Sequence, residues 1–394
     1  MPKPRICIVT GSRADYGLLR PLMAALRDAP DFTLQVLATG MHLAPEFGLT
    51  YQAIEADGFG IDAQVEMLLS SDTARGVAKS VGLGVIGCAD ALAALQPDLL
   101  LVLGDRFEIL AAVQAALFAR IPVAHIAGGD LTEGAVDDAI RHSITKMAHL
   151  HFVTNDDAAR RVRQLGEDPR AIFTVGSPGI DNLKDTPLLD RAHLEAALDL
   201  RLRARNLLVT FHPSTLEATP ADTQLRELFA ALDSFGPELG LIFTKPNADM
   251  GGRDLARAID DYVATREQAA AFTSLGNQRY YSAIAQVDAV VGNSSSGLYE
   301  VPSFGKPTVN IGDRQKGRLR ATSVIDCAPI RAAIRAAIET ALTRDCRDVV
   351  NPYGDGQAVE RILNVLRAML RQPLDTDALV QKHFFDQVSA HGID

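Results

Sequence analysis

Asp98-Leu99-Leu100-Leu101-Val102-Leu103-Gly104-Asp105-Arg106-Phe107-Glu108 is an unbroken apolar run that ends in glycine and then in a burst of charge. An apolar run without polar alternation reads as a strand buried on both faces, as in parallel sheets covered by helices. The same grammar recurs at residues 5–10, 32–39, 122–127, 150–154 and 171–175, each run followed by a helical pattern, the first from about 16 to 29. Near 176–189, Pro178, Gly179 and Pro187 mark a linker. The alternation then restarts at 206–211, 239–244, 270–274, 288–291 and 307–311, and helical stretches at about 358–371 and 376–389 close the chain. The predicted fold class is α/β: two Rossmann-like, doubly wound parallel-sheet domains facing across a cleft, with ligands at the carboxyl ends of the strands.

A chain of 394 residues suits two such domains. Its apolar fraction of 47% and charged fraction of 22% are ordinary for a globular protein, and its net charge of −10 argues against general affinity for nucleic acid. Cys7, Cys88, Cys327 and Cys346 are scattered without a C-x-x-C, as expected of reduced thiols in a cytosolic protein. No signal peptide is recognisable and no apolar run is expected to approach membrane-spanning length, so a cytoplasmic location without membrane partners is expected.

The polar motifs fall mostly at predicted strand ends. Thr10-Gly11-Ser12-Arg13-Ala14-Asp15-Tyr16-Gly17 follows the first strand. It reads either as a phosphate-binding helix start with Arg13 as a bidentate donor, or as a capped turn satisfied by Asp15. It is not the dinucleotide fingerprint G-x-G-x-x-G. At the end of 98–103, Asp105 is a candidate general base, and Arg106 a candidate phosphate ligand or tuner of that carboxylate. In the segment from His125 to Asp138, four carboxylates lie close together around a glycine-rich turn, among them Asp130, Glu133 and Asp137. Asp137 and Arg141 are four apart on a helical pattern and share a face. Carboxylates that converge raise one another's pKa, which suits proton transfer near neutrality. His149 and His151 read as buried structural histidines, since no third ligand stands at metal spacing.

In the second half, His212 of Phe211-His212-Pro213 is a candidate for binding a diphosphate or protonating a leaving group. Thr244-Lys245-Pro246-Asn247 is a candidate contact to a base or ribose. Gly292-Asn293-Ser294-Ser295-Ser296-Gly297-Leu298-Tyr299-Glu300 reads as an anion cradle of backbone N–H groups and hydroxyls, with Glu300 in the opening turns of the next helix to hold ribose hydroxyls. Gly312-Asp313-Arg314-Gln315-Lys316-Gly317-Arg318 brings cations to the same edge.

Taken in order with Asn351-Pro352-Tyr353-Gly354-Asp355-Gly356, these eight motifs resemble those of the hydrolysing UDP-N-acetylglucosamine 2-epimerases, in the branch that feeds sialic and legionaminic acid synthesis. The resemblance spans nearly the whole chain. It implies the GT-B type of fold: a first domain over 1–185 completed by a terminal helix at 375–394, and a UDP-binding second domain over 186–374. It also implies no metal, no nicotinamide or other cofactor, and a homo-oligomer, dimer or tetramer. Carried over by position, Arg13, Arg106, His212, Asn247, Ser294, Ser295, Glu300 and Arg314 correspond to UDP-binding residues, and Asp105, Asp137 and Arg141 to residues of the chemistry. One position departs: Ala127 stands where family members carry Glu, and Asp130 or Glu133 is the candidate replacement.

The chemistry implied is elimination of UDP across C1–C2 to a 2-acetamidoglucal, then hydration with inversion at C2 to N-acetylmannosamine. A carboxylate among Asp105, Asp130 and Asp137 takes the C2 proton, and Arg13, His212 and Arg314 stabilise the charge growing on UDP. Three rivals stand beside this: the same chemistry on UDP-2,4-diacetamido-2,4,6-trideoxyglucose, a UDP-dependent GT-B glycosyltransferase, and a non-catalytic UDP-sugar sensor.

Overall fold

In the computed structural model, which describes residues 3–71, 73–131, 136–213, 219–246, 252–370 and 379–386, the apolar runs form two wholly parallel sheets. The chain divides into two compact units, Met1–Asn182 with Tyr353–Asp394, and Leu183–Pro352.

The first unit holds β1 (Arg5–Thr10), β2 (Thr33–Thr39), β3 (Ala63–Val65), β4 (Leu99–Leu103), β5 (Val123–Ile126), β6 (Leu150–Val153) and β7 (Ile172–Thr174), in the order 3-2-1-4-5-6-7. The unbroken apolar run of β4 has a direct cause in packing. Leu99, Leu101 and Leu103 enter the core on one face of the sheet, and Leu100 and Val102 the core on the other. β1 divides likewise, Ile6 and Ile8 from Cys7 and Val9. Side chains alternate across a strand, so a sheet clothed on both faces needs apolar residues at every position. Strand order reverses between β1 and β4, and the crevice at such a switch point is where ligands bind in doubly wound sheets. The loops at Gly11 and Gly104 both leave the sheet there.

The second unit holds β8 (Arg205–Thr210), β9 (Leu239–Thr244), β10 (Ala269–Phe272), β11 (Ala289–Gly292), β12 (Thr308–Ile311) and β13 (Val324–Cys327), in the order 10-9-8-11-12-13. Leu207 and Val209 of β8 face one core, Leu208 the other. Its switch point lies between β8 and β11, which pair from Ala289↔Leu207 to Gly292↔Thr210. The loops after these two strands begin at Phe211 and Asn293.

Several sequence expectations are altered. The linker at 176–189 contains a helix, Pro178–Asp185, and Asp181 in it accepts the backbone N–H groups of Ala358 and Val359 at 3.1 and 3.0 Å. The chain returns to the first unit at Tyr353 rather than 375. The reason is the helix Ala358–Met369, whose Ile362, Leu363 and Leu366 pack in the same core as Leu19 and Leu22. The helix expected over 376–389 is absent from residues 381–386, which run without regular structure. Lys382 anchors this stretch, donating to the carbonyls of Lys146 and Ala148 at 2.6 and 2.7 Å and to Glu167 at 2.8 Å. A cation on the last carbonyls of a helix, here Val136–Met147, is favourably placed against the helix dipole.

The short strands β3 and β13 went unpredicted. So did the helix Ala74–Leu95, which by length and composition is apolar enough to cross a membrane, with 22% of its most apolar window buried. Arg75, Lys79 and Asp90 interrupt the run and hide it from inspection. Its most extensive helix contact is with Phe107–Phe118, and the two leave Leu83, Ile86, Leu117 and Phe118 exposed, Phe118 to 85%.

Candidate active site

In the first unit, three loops at the carboxyl ends of the strands bring the charged residues together. After β1, Ser12 caps the helix Arg13–Asp28 by accepting from Asp15 N at 3.3 Å, while the Asp15 carboxylate accepts from Gly11 N at 3.4 Å. The pair differs from a capping box in that the carboxylate takes the N–H of Gly11, one residue before the cap. The helix start is thus capped, as in the second reading of the motif, and Arg13 stands exposed at its first position. Burial drives the Asp15 pKa up to about 6, against the pull of Arg106 and the Ser12 hydroxyl.

After β4, Asp105 and Arg106 point to different partners. Asp105 pairs with Arg141 of the helix Val136–Met147. Arg106 forks onto Glu108, at 2.8 and 3.2 Å, and the Glu108 side chain is fully buried. Room for Glu108 depends on Gly40, held at φ +58, where an added Cβ would sit 2.6 Å from Glu108 Cγ. Arg141 is buried, and its Nε has no hydrogen-bond partner among the described residues.

Asp137, one turn before Arg141, opens to solvent on one side. Partial burial of its carboxyl and the nearby Asp105 charge raise its pKa, opposed by Arg106 and Arg141. Asp105, Arg106, Asp137 and Arg141 thus form one electrostatic group of two guanidiniums and two carboxylates, of which Asp137 has its pKa raised. His125 braces it from beneath. Its Nε2 donates to Gly104 O at 2.8 Å, its Nδ1 lies 3.1 Å from the Thr145 hydroxyl, which itself donates to Arg141 O at 2.9 Å, and burial lowers its pKa to about 3. His125 is a neutral structural residue.

Asp130 is held by the strand-end residues that follow β6. It is buried and accepts from Thr154 Oγ1 at 2.8 Å and Asn155 Nδ2 at 3.4 Å, and Asn155 in turn caps the helix Asp156–Gln164. Ala127 takes a left-handed backbone conformation, φ 62, which for a residue with a Cβ costs roughly 1–2 kcal/mol. Glu133 falls outside the described residues. His149 and His151 are structural, as expected: His149 Nδ1 accepts from Val123 N at 3.1 Å, and His151 Nε2 meets Glu167 at 3.1 Å. Among the described residues no three His, Cys, Asp or Glu side chains gather as metal ligands.

In the second unit, the loops after β8 and β11 are tied by Asn293, a residue to which the sequence reading gave no role. Asn293 Oδ1 accepts from His212 N at 2.7 Å and its Nδ2 donates to His212 O at 2.9 Å. Its own carbonyl accepts from Arg314 at 3.1 Å and Gln315 at 2.8 Å. One buried amide therefore holds His212, Arg314 and the serine loop in a single frame. Gly292 permits it: at φ 138 the chain passes so close to Thr210 O that a Cβ there would collide. Ser294, Ser295 and Ser296 follow directly, and Ser294 Oγ accepts from Ser296 N at 3.4 Å.

The helix after them, Ser296–Tyr299, is a single turn, so Glu300 sits at its C-terminal cap and not in the opening turns of a longer helix. Burial raises the Glu300 pKa, while Ser296 holds it down. Tyr280, also overlooked, donates to Ser296 Oγ at 2.8 Å. Asn293 was legible as the residue following a strand-end glycine. Tyr280 had no local signal, because the helix Gly276–Gln286 brings it in from a distance. Asn247 lies outside the described residues.

With this geometry in place, the likenesses are specific. Residues 24–367 match the family described as UDP-N-acetylglucosamine 2-epimerase. The GDP/UDP-N,N′-diacetylbacillosamine 2-epimerase (hydrolyzing) of Campylobacter jejuni subsp. jejuni serotype O:2 is 42% identical over 327 residues, covering 83% of this chain and 85% of its own. Polysialic acid biosynthesis protein P7 of Escherichia coli is 35% identical, covering 93% of this chain and 94% of its own. The crystal structure of UDP-GlcNAc 2-epimerase from Neisseria meningitidis bound to UDP-GlcNAc shares the fold, with a TM-score of 0.74 at 17% identity, over 92% of this chain and 100% of that one.

Proposed function

The chain belongs to the UDP-N-acetylglucosamine 2-epimerase family, and from that premise we propose that it is a hydrolysing 2-epimerase whose substrate is UDP-2,4-diacetamido-2,4,6-trideoxyglucose, the UDP form of N,N′-diacetylbacillosamine. The observation that carries the reaction is the group Asp105–Arg141 with Asp137 and Arg106. A proton on C2 of such a sugar is weakly acidic, since no carbonyl adjoins that carbon. A base alone does not suffice; the leaving group must depart as the proton is taken. Asp137, its pKa raised, removes the C2 proton. The C1–O bond breaks, the electron pair of the C2–H bond becomes the C1=C2 bond, and UDP leaves with the other pair. His212, Arg314 and the serine loop, framed by Asn293, stabilise that charge in the second unit. Water then adds its oxygen to C1 while C2 takes a proton on the opposite face. Free 2,4-diacetamido-2,4,6-trideoxymannose and UDP result. Arg141, buried and paired to Asp105, holds that carboxylate in place beside Asp137.

The substrate assignment is supported by the Campylobacter relative and by Ala127, which marks a departure from the UDP-N-acetylglucosamine enzymes at a residue of the chemistry. The E. coli relative's role in polysialic acid biosynthesis favours UDP-N-acetylglucosamine as the second reading. Turnover in deuterated water tests the reaction: one deuteron is expected at C2 of the released sugar. Release of an unlabelled sugar would remove the elimination route, and release only with an added acceptor would identify a glycosyltransferase.

The enzyme is also proposed to be a homo-oligomer that buries the apolar face left open by Ala74–Leu95 and Phe107–Phe118. Leu83, Ile86, Leu117 and Phe118 are 42, 65, 43 and 85% exposed, a concentration that marks a contact surface. Ile86→Arg with Phe118→Glu is expected to yield monomers in light scattering. An unchanged mass would place the interface elsewhere.

A further inference from the structure

We infer that a cavity beside Arg106 reads the substituents at C4 and C6 of the sugar, and that it is built for an acetamido group and a methyl rather than for hydroxyls. The inference rests on the reaction proposed above and assigns its specificity to particular side chains. The cavity lies wholly in the first unit and has a volume of about 490 Å³, within the range of small-ligand sites. Met41, Leu69, Val77 and Phe107 form its apolar walls, and Glu46 and Ser70 bring polar groups.

Its position ties it to the reacting group. Met41 Sδ lies 3.7 Å from Arg106 Nη2. Phe107 follows Arg106 in the chain, with the guanidinium 5.9 Å from its ring centre. Arg106 in turn feels the charges of Asp137 and Asp15. Arg106 thus links the wall of this cavity to the group around Asp137, and a sugar presented to that group is inferred to reach the cavity.

The walls are fixed in place. The buried Ser80 accepts from Leu69 N at 3.1 Å, and the left-handed Gly40 sets the course of the chain into Met41. Leu69 nevertheless stays 39% exposed, so its side chain is available to a ligand without being needed by the core.

The chemistry of the walls decides between sugars. A C6 hydroxymethyl placed against thioether, leucine, valine and phenyl surfaces loses water and regains few hydrogen bonds, and a C4 hydroxyl leaves the apolar wall beside it without a partner. A C6 methyl loses nothing by the same transfer and gains burial. A C4 acetamido group has one apolar methyl, one N–H and one carbonyl. The walls suit the methyl, the Glu46 carboxylate can accept the N–H, and the Ser70 hydroxyl can donate to the carbonyl.

The test uses the full-length enzyme and two substrates, UDP-2,4-diacetamido-2,4,6-trideoxyglucose and UDP-N-acetylglucosamine, with UDP release as readout. Leu69→Gln keeps the volume and adds an amide; Val77→Thr keeps the shape and adds a hydroxyl. In each, the ratio of kcat/KM for the trideoxy sugar over that for UDP-N-acetylglucosamine is expected to fall, at least tenfold for Leu69→Gln. Thermal unfolding should be close to wild type. Wild-type preference for the trideoxy sugar with an unmoved ratio in both variants overturns the cavity assignment alone. Wild-type preference for UDP-N-acetylglucosamine overturns the substrate reading and the cavity with it. Turnover of neither overturns the reaction.

Discussion

Asp137→Asn is expected to lower kcat by about 10²–10⁴-fold, the contribution of a positioned general base, while inhibition by UDP stays at its wild-type value. The two readouts separate because the residues framed by Asn293 belong to the second unit and Asp137 to the first. The amide of Asn keeps the shape and loses the basic oxygen, so ground-state contacts survive and proton abstraction does not. The pH profile carries a sign that follows from the same geometry. Asp137 must be ionised to act. Burial and Asp105 raise its pKa, so kcat/KM should climb with pH through a value above the usual carboxylate range. Asp105→Asn removes one of the two raising influences, and whatever activity remains in that variant should have its acidic limb shifted to lower pH. A limb that stays put would mean that another group is titrating; wild-type turnover in Asp137→Asn would remove this residue from the mechanism.

What was legible beforehand divides along physical lines. Strands such as β4 and β8 could be read because burial on both faces demands apolar residues without a break, and that demand is written locally. β3 and β13 are short, and the helix Ala74–Leu95 mixes small residues with Lys79 and Asp90, so neither leaves a periodic trace strong enough to read. The motifs could be placed at the carboxyl edge because they end strands. Their pairing could not. Nothing in the spacing of Arg106 and Glu108 says that they fork together over Gly40, or that Asp105 reaches instead to Arg141. Asp130 illustrates the same limit. In sequence it stands three residues from Ala127 and is a natural substitute for a missing carboxylate. In the fold it is drawn to Thr154 and Asn155, where it supports the start of the next helix.

Arg106→Ala bears on a conflict that only the structure exposes. By resemblance Arg106 belongs to the UDP-binding set, yet its guanidinium is engaged by Glu108, whose side chain is fully buried. Removing one partner of a buried pair leaves an uncompensated charge, a loss of about 3–5 kcal/mol, whereas replacing both by apolar residues of similar size is often close to neutral. Arg106→Ala should therefore move the first unfolding transition in urea to markedly lower concentration, and Arg106→Met with Glu108→Leu should restore most of it. The non-additivity of the cycle measures the pair. Function responds separately. Arg106 lowers the pKa of both Asp137 and Asp15, so without it the acidic limb of kcat/KM should move to higher pH. If the double variant regains stability and still binds UDP as wild type does, Arg106 is a positioning residue that holds Glu108 and tunes Asp137. If UDP inhibition weakens in the stable double variant, the guanidinium serves the phosphate as well, and must leave Glu108 in part to do so.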